Sequence, residues 1–75
     1  MRRLNEEWTG EVVGKLHSLN STQIELALYC GYTPEYLSSV LNGKKHFESE
    51  YAKRCTKRRI FAALEELERE ILNER

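Results

Sequence analysis

One proline and four glycines in 75 residues leave little from which to build the turns of an all-β fold. They also exclude collagen-like, linker and low-complexity segments, and no internal repeat is visible. No apolar run approaches the ~20 residues that a membrane-spanning helix needs. No signal-peptide pattern stands at the N-terminus, where Arg2 and Arg3 are followed by no apolar run, so a cytoplasmic location is expected. Cys30 and Cys55 are too few and too far apart for a zinc site or a redox pair, and no metal, cofactor or disulfide is expected. There is no glycine-rich phosphate loop, no nucleophile with a placed histidine and no paired-histidine metal motif. A chain this short also offers scarcely any cleft. Neither an enzyme nor a small-molecule substrate is expected.

What is present is 40% hydrophobic and 32% charged residues, the composition of a helical globular chain. Residues 1–75 form one domain, near the size at which a single core barely suffices, so a partner copy would help. Net charge is zero, but it is unevenly distributed. Residues 1–42 carry three basic and five acidic side chains, 43–59 carry seven and two, and 60–75 carry two and five. The sums of −2, +5 and −3 place a basic segment in the second half of the chain.

Two short helices and a tight turn are legible between Ser21 and Lys45. Thr22 and Glu25 form a T-x-x-E capping box, so a helix begins at Gln23. Leu26, Ala27 and Cys30 share one face, and Gly31 supplies the left-handed residue past the helix end. Thr33 then caps a second helix with Pro34 at its first position, and Tyr32 is expected to staple against Leu37. Leu37, Val40 and Leu41 make the buried stripe. Asn42 and Gly43 end the helix.

The stretch T-Q-x-E-L-A at Thr22 to Ala27, Gly31, Leu37, Val40 and the closing N-G-K at Asn42 to Lys44 resembles the lambda-repressor and Cro type of phage and bacterial DNA-binding domain. The resemblance covers about a third of the chain, with the helix-turn-helix motif at 22–43. It implies an all-α, lambda-repressor-like fold of four or five helices whose second motif helix enters the major groove. By the same resemblance, Thr22 and Gln23 would hold a backbone phosphate, while Thr33, Pro34, Glu35 and Ser39 would reach base edges. Tyr36 would contact phosphate or a thymine methyl, and Asn42, Lys44 and Lys45 would grip the backbone. Cys30 stands where the pattern has a small apolar residue. Proline and glutamate replace the glutamines or basic residues common in the family, and Glu35 suits a cytosine amino group rather than guanine.

Ahead of the motif, Asn5 is expected to cap a first helix with Glu6 and Glu7 in its opening turn. Leu4, Trp8, Val12, Leu16 and Leu19 form its apolar face, which ends near Asn20. Gly14 inside it suggests close helix packing. Beyond the motif, Phe47 is expected under it, and Ser49 caps a long C-terminal helix over about 49–73. That helix carries Tyr51, Cys55, Ile60, Ala63, Leu64, Leu67 and Ile71 as a stripe, with Lys53, Arg54, Lys57, Arg58 and Arg59 on its polar side. Leu64, Leu67 and Ile71 reach beyond what a small core needs and are expected to support a homodimer.

The expected function is transcription regulation through operator binding to double-stranded DNA as a homodimer. The rival is a protein partner held by Glu35, Tyr36, Ser38 and Ser39. A DNA surface would bring Lys44, Lys45 and the outer face of 53–59 into one plane with Thr33 to Ser39.

Overall fold

Short polar side chains and left-handed turns set the helix limits in the computed structural model, which describes residues 7–73. The helices are α1 (Glu7–Ser18), α2 (Gln23–Cys30), α3 (Pro34–Leu41) and α4 (Glu50–Asn73). The fold is all-α, with four helices and no strand among the described residues. The expected contributions of Leu4, Asn5 and Glu6 lie outside those residues.

Each motif helix begins and ends as its local sequence dictates. The Glu25 amide donates to Thr22 Oγ1 at 3.2 Å, and the Glu25 carboxylate accepts from the Thr22 amide at 3.4 Å and from the Ser21 hydroxyl. The capping box is therefore complete. Gly31 takes φ 83°, and the Gly31 and Tyr32 amides both close on the Ala27 carbonyl. Thr33 Oγ1 accepts from the Tyr36 amide at 3.1 Å. At the far end of α3, Lys44 N–H reaches the Ser39 carbonyl and Gly43 N–H the Val40 carbonyl, with Gly43 at φ 76°. That is the Schellman closure. The same closure ends α1, where Asn20 takes φ 58° and the Ser21 amide bonds the Leu16 carbonyl at 2.9 Å. Ser49 Oγ accepts from the Ala52 amide at 3.1 Å and opens α4.

One core joins all four helices. Trp8, Val12 and Leu16 of α1, Leu26, Ala27 and Cys30 of α2, and Leu37, Val40 and Leu41 of α3 are buried against Ile60, Ala63, Leu64 and Leu67 of α4. Leu19 is only half-buried. Phe47 packs on the core edge, and Phe61 meets Trp8 with ring centroids 6.1 Å apart. α2 packs on α4 and α3, and α1 on α3 and α4. Lys15 and Glu68 pair at 3.2 Å across the α1–α4 seam. Both are partly exposed, so the pair contributes only about 0–1 kcal/mol.

Two expectations need correction. Tyr51 and Cys55 are exposed, and Thr56 is buried in their place. At about 100° per residue, Thr56 lies one turn before Ile60 on the same face, whereas Cys55 is rotated about 140° from Ile60. Leu64 and Leu67 are 5% and 4% exposed and Ile71 is half-buried against the core. The stripe assigned to dimerisation therefore closes the monomer. Tyr32 is half-buried against the core that contains Leu37, and its ring also meets that of Tyr36, tilted by 56° with centroids 4.7 Å apart.

Gly14 is not a close-packing site either. It is exposed, beside the α1–α4 groove, and a Cβ built there meets nothing within 4 Å. Gly14→Ala is expected to raise stability by about 0.5–1 kcal/mol, because alanine loses less backbone entropy in a helix. A rise in thermal melting midpoint checks this, and a fall would mean that α1 sits closer to a neighbour than the open groove implies.

Candidate nucleic-acid interface

The outer face of α3 follows from its caps and its stripe. With Leu37, Val40 and Leu41 turned inward, the residues left outside are Pro34, Glu35, Ser38, Ser39 and Asn42. Together with Lys44 they line one shallow depression of about 370 Å³. Five of the expected contact residues, Pro34, Glu35, Ser39, Asn42 and Lys44, are thus brought together. Ser38 belongs with them, one turn from both Pro34 and Asn42, and the helical period alone would have included it.

Hydrogen bonding inside this face decides what it can still offer a ligand. The Ser39 hydroxyl donates to the Tyr36 carbonyl at 2.9 Å, leaving its lone pairs outward. Asn42 Nδ2 donates to Ser38 Oγ at 3.2 Å, which leaves the amide oxygen available. With the Glu35 carboxylate these groups offer acceptors to exocyclic amino groups, beside donors from the Ser38 hydroxyl, the second Asn42 amide proton and the Lys44 ammonium. Thr33 is committed to its cap. Thr22 and Gln23 stand at the opposite end of α2, eight residues or about 12 Å from the turn, and are not among the residues of the depression.

A chain of aromatic and cationic contacts borders the α3 face. Arg59 of α4 lies over the Tyr32 ring at 5.6 Å, and Lys45 Nζ lies 5.6 Å from the Tyr36 ring and 5.8 Å from that of Phe47. With the Tyr32 and Tyr36 rings in tilted contact, a positive charge is held at each end of an aromatic pair. Arg59 also donates to the Cys30 carbonyl at 3.4 Å. Burial pushes the Cys30 thiol up to about 11, partly opposed by the Arg59 charge, so the thiol stays neutral at physiological pH. The sequence gives no signal for this use of Arg59, which comes from a residue 29 positions away.

The basic segment is divided rather than gathered on one plane. Lys44, Lys45 and Arg59 border α3, Lys53 shares a cleft with Lys45, Phe47 and Trp8, and Lys57 and Arg54 flank Trp8. Arg58 sits beside Tyr29 on the outside of α4. Among the described residues no grouping of histidine, cysteine and acidic side chains could hold a metal ion, and no helix is long and apolar enough to cross a membrane. The chain matches no family model, no curated protein and no solved structure.

Proposed function

We propose that the chain is a sequence-specific DNA-binding regulator of transcription, with α3 as the recognition helix and a two-fold operator bound by a homodimer. The observation that carries this reading is the polar outer face of α3 with Lys44 and Lys45 fixed at its end. Base-reading and phosphate-holding groups are then within one helix length of each other. Glu35, Ser39 and Asn42 would accept from cytosine or adenine amino groups. Lys44 and Lys45 would hold the backbone without regard to sequence.

Selection of bound fragments from the source genome at moderate salt supplies a candidate operator. Titrations at several salt concentrations, with that fragment and a scrambled one, then test the division of roles. Replacing both Lys44 and Lys45 by alanine should weaken binding to both fragments. It should also reduce the slope of log affinity against log salt by about 1.8, two phosphates at about 0.9 each. Glu35→Ala should instead change preference at one or two base pairs, on the order of 1–3 kcal/mol each. Equal, weak affinity of the unaltered protein for both fragments would end the specific-DNA reading.

A protein partner is the second reading. It is favoured by Ile24 and Leu28, one turn apart on α2 and 59% and 76% exposed. Apolar side chains so placed suit a helical or hydrophobic ligand better than phosphate.

A further inference from the structure

The outward side of α4 carries Arg58, Ala62 and Glu66, four apart and all exposed, and the same series continues to Arg54 beside Trp8 and to Glu70 on the other flank, because each step of four turns about 40° around the helix. Its basic half and acidic half are mirror positions about Ala62. Within one chain this order is unfavourable. Arg54 and Arg58 are like-charged neighbours one turn apart, as are Glu66 and Glu70, and such pairs repel weakly. Between the two halves the nearest opposite charges, Arg58 and Glu66, are separated by two turns with Ala62 between them, while Glu50 lies one turn before Arg54 and Arg69 three residues after Glu66. None of the four charged side chains has an ion pair or hydrogen bond among the described residues.

We propose that this row is a self-complementary interface through which two copies of the chain pair antiparallel, with the two-fold axis at Ala62. In that register residue 62+n of one copy faces 62−n of the other. Arg58 then meets the partner's Glu66, and the symmetry repeats the pair. That reciprocity is the condition of an isologous contact. The short Ala62 side chain at the axis lets the two helices approach. A shallow depression lined by Tyr29, Arg58, Ala62 and Glu66 leaves room for the partner's side chains. The surface is distinct from the Leu64, Leu67 and Ile71 stripe, and the assembly does not depend on what α3 binds. One face of one helix is less than a standard interface, so the dimer is weak and salt-sensitive.

Sedimentation of the full chain over a concentration series tests the proposal. Arg58→Glu and Glu66→Arg, each alone, should weaken self-association about tenfold by setting like charges opposite each other. Mixed in equal amounts, the two variants should recover it, since each then faces its complement. Recovery on mixing excludes misfolding as the cause of the single defects. A second measurement fixes the register. Ala62→Cys in a Cys55→Ser background should form a disulfide-linked dimer under mild oxidation. Native Cys55 should not, because two copies of it lie 14 residues or about 21 Å apart along the paired helices, beyond the ~7 Å limit for a disulfide. A monomer up to millimolar concentration, no recovery on mixing, or ready crosslinking through Cys55 in place of Ala62→Cys would each overturn the proposal. The last would indicate a parallel pair or a different face.

Discussion

Leu37→Ala is expected to lower the melting temperature by roughly 10–30 °C, the equivalent of about 2–5 kcal/mol in a domain of this size. Leu37 is wholly buried at the centre of an eight-residue helix, too short to persist on its own. Its side chain is the main anchor holding α3 to the core. Truncation leaves a void in the core that the four helices share, which the surrounding packing closes only partly. Far-ultraviolet circular dichroism during heating reads the effect. A midpoint within about 2 °C of the unaltered chain would mean that the core repacks around the loss, since even 1 kcal/mol moves it by about 4–8 °C.

Ala27→Leu should destabilise by overpacking, by about 1–3 kcal/mol. Ala27 is 1% exposed, and its carbonyl receives both the Gly31 and Tyr32 amides. The backbone there cannot retreat without opening the turn to α3. Leu28, the next residue, is 76% exposed, and Leu28→Ala should change stability by no more than about 0.5 kcal/mol. Denaturant midpoints of the two variants, measured together, separate a site defined by close approach from one defined only by hydrophobic character. Equal midpoints would show that α2 is rotated from the orientation described.

The two motif helices were legible to the residue because their limits are set locally. Thr22, Glu25, Thr33, Pro34, Gly31 and Gly43 each act on backbone groups within five positions, and no distant contact is needed to fix them. α4 was less legible at its start. Tyr51 and Cys55 look apolar, but burial follows the rotation set by Ile60, Leu64 and Leu67, and extrapolating that rotation backward reaches Thr56. Hydropathy by residue type competed with helical phase, and phase prevailed. The same competition misassigned Leu64 and Leu67 to a second copy, because the sequence does not tell how far α1 and α2 extend along α4. In the candidate site, the grouping of Pro34, Glu35, Ser39, Asn42 and Lys44 follows from helical period. The contact of Arg59 with Tyr32 depends on how α4 crosses the turn, which no local pattern encodes.

The dependence of α2 on α4 also sets the order of events during synthesis. Leu26, Ala27 and Cys30 are among the earlier residues to leave the ribosome, but the side chains that cover them, from Ile60 to Leu67, are added some thirty to forty residues later. Until Leu67 has emerged, the capped helix pair has only α1 to pack on, and short helices with so little packing do not persist. The domain therefore folds as one unit after most of it has been made. A chain interrupted before Leu67 presents its uncovered leucines to chaperones and proteases, so loss of the last helix is expected to reduce cellular abundance before any change in binding is felt.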